Sequence, residues 1–184
     1  MAKLFIPDFY VDELLEVDWS YLAKQGIRQV YLDIDNTLEL HGSREAGERT
    51  RLVSQDIQEA GLGVSVLSNA ATARAANFCR NLGLDYVGQA SKPLPFSLRK
   101  HMEKLGLKAS QVAIVGDQIF TDLWCARALG ATAILAKSLA GKEGWGLRLK
   151  RQLELLLLKL GQDPRRAPRL PSQSKDLGRF LTGS

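Results

Sequence analysis

Val30-Tyr31-Leu32-Asp33-Ile34-Asp35-Asn36-Thr37-Leu38 is the stretch from which the rest of the chain can be read. It opens as a β-branched and aromatic run, the composition of a buried strand. It closes on two aspartates one residue apart, then Asn and Thr, the composition of a chain leaving a sheet. Side chains alternate along a strand, so Asp33 and Asp35 start out on one side with Ile34 on the other. Two carboxylates aimed at one point repel each other, and burying them is costly unless a cation or a proton intervenes. A bare Asp-rich turn is the plainer alternative, and the rest of the sequence bears on the choice.

Downstream, strand and helix patterns alternate. Residues 44–60 read as a helix broken by Gly61-Leu62-Gly63, and Val64-Ser65-Val66-Leu67 as a second strand ending in Ser68-Asn69. Residues 70–82 are Ala-rich and helical, with Gly83 in the C-cap role, and Asp85 to Gly88 form a third, short strand. Lys92-Pro93-Leu94-Pro95 opens a helix ended by Gly106. Residues 111–115 are a fourth strand running into Gly116-Asp117, residues 120–129 a helix, and residues 131–135 a fifth strand. A last helix is expected over 146–160. Strands alternating with helices of this length imply right-handed βαβ crossovers. The fold class is therefore α/β, a three-layer, Rossmann-like parallel sheet with helices on both faces.

The totals are those of a globular protein: 184 residues, 45% hydrophobic and 24% charged. Cys79 and Cys125 have no CxxC or metal-ligand spacing and read as reduced core thiols, which points to a cytoplasmic location. No secretory signal is expected at the start, and no run approaches the roughly 20 apolar residues that cross a bilayer. The charge of +5 is uneven. Residues 137–184 hold 11 Lys/Arg against 4 Asp/Glu, whereas residues 1–136 hold 14 against 16. The basic end calls for an anionic partner, without deciding among nucleic acid, lipid and protein. Residues 1–26 read as an apolar extension packing on the core or a membrane, residues 27–160 as the main domain, and residues 161–184 as a basic, disordered tail.

Function in open α/β sheets gathers outside the carboxyl ends of the strands. The polar residues fall there: Asp33 and Asp35 after the first strand, Ser68 after the second, Lys92 after the third, Asp117 and Asp122 after the fourth. Four aspartates in one pocket are untenable without a divalent cation. An all-oxygen set lacking His and Cys suits Mg2+, held by carboxylates together with a substrate phosphate. Lys92 by charge and Ser68 by hydrogen bond would then hold phosphoryl oxygens. Taken singly, Thr37 reads as a turn residue, Ser68 as a helix cap, Lys92 as a surface lysine and Asp122 as a first-turn helix charge. Their combination favours chemistry.

These residues resemble the motifs of the haloacid dehalogenase-like phosphatase superfamily: Asp33-Ile34-Asp35-Asn36-Thr37, Leu67-Ser68-Asn69, Ser91-Lys92-Pro93, and Gly116-Asp117 with Asp122. The resemblance implies that Asp33 is the nucleophile and forms an aspartyl-phosphate. It implies that Asp35 is general acid and then general base, protonated when phosphate binds and helped in this by the carboxylate beside it. Thr37, Ser68 and Asn69 would steady the phosphoryl group and Lys92 would offset its charge. Asp33, the Asp35 carbonyl, Asp117 and Asp122 would surround Mg2+. His41 and His101 lie outside the motifs, in a loop and on a helix expected to be exposed.

Superfamily members commonly select substrates with inserted cap domains, and this sequence has no room for a large one. Within the superfamily it is most similar to the short, capless YqeG-like group, related to phosphatidylglycerophosphate phosphatases. That resemblance implies dephosphorylation of phosphatidylglycerophosphate to phosphatidylglycerol. The enzyme would be peripheral at the inner face of a membrane, with an anionic phospholipid as substrate and no nucleic acid expected. The leucines and basic residues of the 146–160 helix would be the docking element, or ordinary core. A capless phosphatase acting on a phosphoprotein, nucleotide or nucleic-acid end is the alternative reading. A non-catalytic interaction protein on an old enzyme fold is a third.

Overall fold

Residues 5–139 and 163–173 are described by the computed structural model of the chain. The motif strand is buried at every position, which a β-branched and aromatic run tolerates only when helices cover both faces. It is β2 (Gln29–Leu32) of a six-stranded sheet with β1 (Phe9–Val11), β3 (Gly63–Leu67), β4 (Asp85–Val87), β5 (Val112–Gly116) and β6 (Thr132–Ala136). All neighbours are parallel, in the order β1-β6-β5-β2-β3-β4. The chain therefore moves outward from β2 to β3 and β4, then returns to β2's other side for β5. The strand order reverses between β2 and β5, and a crevice at their carboxyl ends is where ligands of such sheets bind.

Alternation along the strands sorts the core into two layers. Val30, Leu32, Val64, Val66, Ala113 and Val115 face one side, packed with Trp19 and Leu22 of α1 (Trp19–Lys24), Val53 and Ile57 of α2 (Glu48–Glu59) and Phe78 of α3 (Thr72–Arg80). Tyr31, Val112, Ile114 and Ala133 face the other, packed with Leu98 and Met102 of α4 (Phe96–Lys104) and Cys125 and Ala126 of α5 (Trp124–Leu129). The three-layer α/β/α arrangement is the expected one. Among the described residues no further domain is inserted after β2 or between β3 and α4.

Two expectations are revised, the strand count and the disorder of the tail, and for residues 1–26 the core-packing reading is the one the described part shows. The sheet has a sixth strand, because residues 9–11 pair with β6 in the register Phe9↔Ile134. Three residues are too few to show a strand period, so only the partner strand reveals them. The segment before residue 27 is therefore part of the fold: it supplies the edge strand, and Trp19 in α1 is fully buried. The chain from residue 161 is not disordered over residues 163–173. That stretch forms a 3-10 turn at Pro164–Arg166 and runs beside the amino-terminal segment, with the Tyr10 amide donating to Pro168 and the Asp18 amide to Pro171. Leu170 is buried there and the Arg169 guanidinium lies 4.3 Å over the Tyr10 ring, so composition understated the tail's contacts. The helix expected over 146–160 lies outside the described residues.

Candidate active site

Each strand that borders the crevice delivers its polar residue there. The β2–β5 ladder runs one residue past β2, with the Asp33 amide donating to the Val115 carbonyl at 2.9 Å, and this sets the Asp33 carboxylate beside the end of β5. Asp117 follows β5 directly. Asp122 arrives on a π-helical turn, Ile119–Leu123, a distortion common at functional sites. One oxygen from each of Asp33, Asp117 and Asp122 lies within 4.8 Å of the others, and all three residues are buried. Gly116 makes this possible: a Cβ there would sit 2.2 Å from the Asp122 carboxyl carbon.

Lys92 enters from the far side, from the loop after β4. Its ammonium donates to Asp33 Oδ1 and Asp122 Oδ1, both at 2.5 Å, and to the Leu67 carbonyl at 3.2 Å. The loop is held by Asn69, whose amide accepts from the Lys92 backbone N–H at 2.8 Å and donates to the Lys92 carbonyl at 3.0 Å. The Lys92-Pro93 peptide is cis, and Asn36, Gln89 and Ser91 take positive φ angles of 62°, 47° and 59°. Non-glycine residues in that region are strained, and here all three sit in loops around the site. The Ser68 hydroxyl is buried and accepts from the Ala70 amide at 3.1 Å.

Three buried carboxylates against one ammonium leave an excess of negative charge. Burial, and then the Asp122 charge, push the Asp33 carboxyl up to about 8, with Lys92 opposing and Asp117 adding to the rise. Burial pulls the Lys92 ammonium down, but Asp122 and Asp33 outweigh it and hold it charged, above the ordinary lysine range. Asp33 Oδ2 and the Thr37 hydroxyl are buried without a hydrogen-bond partner among the described residues. Hard oxygen donors, surplus negative charge and an orphaned carboxylate oxygen suit a divalent cation at Asp33, Asp117 and Asp122.

Asp35 departs from expectation. Its carboxylate turns away from the cluster to Arg74 of α3, whose Nη1 and Nη2 donate to Oδ2 and Oδ1 at 2.8 and 2.7 Å. The Gly42 amide donates to Oδ1 at 3.1 Å, and His41 Nδ1 lies 3.2 Å from the same oxygen. Partial burial pushes the Asp35 carboxyl up, but the Arg74 and Gly42 hydrogen bonds outweigh it, and the group lies below the usual carboxylate range. The sequence reading expected a neighbouring carboxylate to keep Asp35 protonated. Here a guanidinium keeps it ionised, and Asp33 is the carboxyl that is raised. The three carboxylates that could hold a metal are those of Asp33, Asp117 and Asp122, and the ligand expected from Asp35 was its backbone carbonyl. Asn69 departs as well, since its amide grips the Lys92 peptide where a phosphate contact was expected.

Arg74 is the residue that sequence reasoning missed. Its guanidinium also donates to the Ser43 carbonyl from Nε and Nη2, at 3.2 and 3.0 Å, tying the loop after Asp35 to α3. An arginine five residues beyond the second motif carried no local signal. His101, expected on an exposed helix, is largely covered and lies 2.8 Å from the Tyr31 hydroxyl and 2.9 Å from Asp85.

The chain is similar to known proteins in sequence and in fold. The HAD-hydrolase-like family pattern matches residues 89–153. The chain is similar to the Bacillus subtilis protein named "Probable phosphatase YqeG", 27% identical over 158 residues, 86% of this chain and 92% of that protein. It is 29% identical to the Arabidopsis thaliana "Phosphatidylglycerophosphate phosphatase 1, chloroplastic/mitochondrial" over 174 residues, 85% of this chain but 48% of that one, so it spans about half of that relative. Among solved structures, an uncharacterized Listeria monocytogenes protein superposes with a TM-score of 0.52 at 17% identity, covering 72% of this chain and 99% of its own. A hypothetical protein from Xanthomonas campestris gives 0.50 at 20% identity, covering 78% and 88%. These two speak for the fold alone.

Proposed function

We propose that this chain, whose fold and motifs are those of the haloacid dehalogenase-like phosphatases, is a divalent-metal-dependent phosphomonoester hydrolase. The observation that carries this reading is the buried cluster of Asp33, Asp117 and Asp122 bridged by Lys92 at the crevice between β2 and β5. Mg2+ held by Asp33, Asp117, Asp122 and the Asp35 carbonyl would supply positive charge to the phosphoryl oxygens and keep Asp33 ionised. The Asp33 carboxylate attacks phosphorus, forming an aspartyl-phosphate as the bond to the substrate oxygen breaks. Asp35, which Arg74 holds ionised in this structure, would take up a proton when that pair opens and give it to the leaving oxygen, then take one from the water that attacks the acyl phosphate and restores Asp33. Lys92 and Ser68 hold the phosphoryl oxygens, Thr37 steadies the turn, and Asn69 acts through its grip on Lys92.

The substrate we infer is phosphatidylglycerophosphate, with phosphatidylglycerol as product at a membrane surface. The name of the Arabidopsis relative supports this, as does a rim with no cap domain among the described residues, where a bulky head group can reach the crevice. No helix of the described residues is long and apolar enough to cross a membrane, so docking would be peripheral. The test is phosphate release from a panel containing phosphatidylglycerophosphate, an aryl phosphate, nucleotides, sugar phosphates and phosphopeptides, with Mg2+ or EDTA. Activity should need Mg2+, vanish in Asp33→Asn and favour the phospholipid. Preference for a nucleotide or phosphopeptide would keep the mechanism and replace the substrate, whereas unchanged activity of Asp33→Asn in EDTA would end both.

A further inference from the structure

The large hydrophobic side chains left exposed among the described residues are Leu40, Leu94, Phe96, Leu105 and Trp124. Three of them sit on the rim of the crevice. Leu40 follows β2 in the loop that Arg74 ties down, and Leu94 and Phe96 follow β4 at the end of the loop that carries Lys92. Phe96 is 71% exposed, Leu40 58% and Leu94 55%. All three follow strands of the β2-β3-β4 half of the sheet, and leucine and phenylalanine presented this openly along one rim form an interaction surface rather than scattered exposure.

The charges beside these residues indicate what the surface meets. On α4, Arg99 and Lys100 stand three and four residues after Phe96, hence on its face of the helix and one turn behind it. Both are exposed, and neither is in an ion pair among the described residues. Lys100 and Lys104 line an open groove with Thr72, Ser97 and His101, with Glu103 as the one acid of that lining. Arg44 is exposed on the loop of Leu40, with Glu45 as the nearby opposite charge. The chain also leaves the described part at this rim. The Leu139 amide donates to the Asn36 carbonyl at 2.7 Å, and residues 140–162 that follow carry 5 Lys/Arg against 2 Glu. Apolar tips backed by cations one turn away match a bilayer, with acyl chains in front and anionic head groups behind.

We propose that Leu40, Leu94 and Phe96 enter an anionic bilayer surface while Arg44, Arg99 and Lys100 contact its head groups, so that the crevice opens directly onto the lipid layer. The proposal rests on the reading of the site as a phosphatase of a membrane-borne substrate, and it names the surface that brings enzyme and substrate together. Among the described residues none of these six is in a side-chain hydrogen bond or ion pair with Asp33, Lys92, Asp117 or Asp122, so docking and chemistry can be separated experimentally.

The experiment measures co-sedimentation of the full chain with phosphatidylglycerol/phosphatidylcholine vesicles and with phosphatidylcholine vesicles, alongside hydrolysis of a soluble aryl phosphate. Wild type should bind the anionic vesicles at low salt and lose them as salt rises. The triple variant Leu40→Ser, Leu94→Ser, Phe96→Ser should bind about tenfold more weakly or worse, with aryl phosphate hydrolysis and melting temperature unchanged. The pair Arg99→Glu and Lys100→Glu, which leaves the apolar tips in place, should weaken binding to anionic vesicles alone. Wild type that ignores anionic vesicles, or a triple variant that binds them as wild type does, overturns the proposal. So does a triple variant that loses only self-association or only phosphopeptide turnover, which would give the surface to a second copy or a protein partner. If wild type fails on every phosphate ester but binds vesicles through these residues, the phosphatase reading falls and the surface stands.

Discussion

Asp35 and Arg74 show how much a single contact changes the reading of a motif. From the sequence, two carboxylates one residue apart imply mutual repulsion and one raised acid. In the structure the raised carboxyl is Asp33, and Asp35 is held ionised by a guanidinium that also anchors Ser43. Lysine keeps the charge but cannot reproduce a paired contact to both carboxylate oxygens. Arg74→Lys should therefore slow aryl phosphate hydrolysis nearly as much as Arg74→Ala. A wild-type rate in Arg74→Lys would show that charge alone is needed. Gly116 is the other decisive residue, because any side chain there collides with the Asp122 carboxyl. Gly116→Ala should abolish the rise in melting temperature that Mg2+ gives the wild type, and should lower intrinsic stability by about 1–3 kcal/mol, measured by urea unfolding with EDTA present.

At the scale of elements, the strands that carry motifs were legible and the segments that pack by long-range contact were not. β2, β3 and β5 are buried runs long enough to announce themselves, and the polar residues at their ends mark where they leave the sheet. β1 was missed because three residues carry no period, and residues 163–173 because Pro and Arg suggest disorder until a partner surface is present. That partner is the amino-terminal segment, through the Tyr10 and Asp18 backbone bonds and the burial of Leu170. Leu170→Ala should cost about 2 kcal/mol in denaturant unfolding if this strip is part of the cooperative unit. An unchanged unfolding midpoint would mean that it docks only marginally.

For the molecule as a whole, alkaline pH is the sensitive direction. Burial, with the Asp85 charge adding to it, pushes the Cys79 thiol up to about 12. Burial also takes Cys125 to about 11, where Asp122 adds and Lys92 opposes, and the same desolvation lifts the Tyr31 hydroxyl above its ordinary range. A group whose folded pKa lies above its unfolded value stabilises the fold fully below the unfolded value and loses that contribution as pH rises. Unfolded thiols and phenols titrate at about 8.5 and 10, so stability should fall between roughly pH 8 and pH 11 by up to about 1.4 kcal/mol per pH unit per group. The readout is urea unfolding followed across that range; a flat profile would mean that these groups are not excluded from water. Both thiols should also stay unreactive toward a disulfide reagent at pH 8 until the protein is unfolded.

The sequence by itself determined the layered parallel sheet and the residues that could do chemistry, because both follow from local rules. Apolar periodicity decides which faces are buried, and a polar residue at the end of a buried strand can only lie on the rim. What the tertiary structure alone decided was partnership. The Lys92 ammonium lies between Asp33 and Asp122, Asn69 grips the Lys92 peptide, Arg74 takes the Asp35 carboxylate, and β1 closes on β6. These contacts join residues far apart in the chain, and no local propensity encodes them. Their energies depend on distances of a few ångströms in a medium that excludes water, so which carboxylate of the Asp33-Ile34-Asp35 pair joins the buried cluster and which pairs with Arg74 became legible only once the chain had folded.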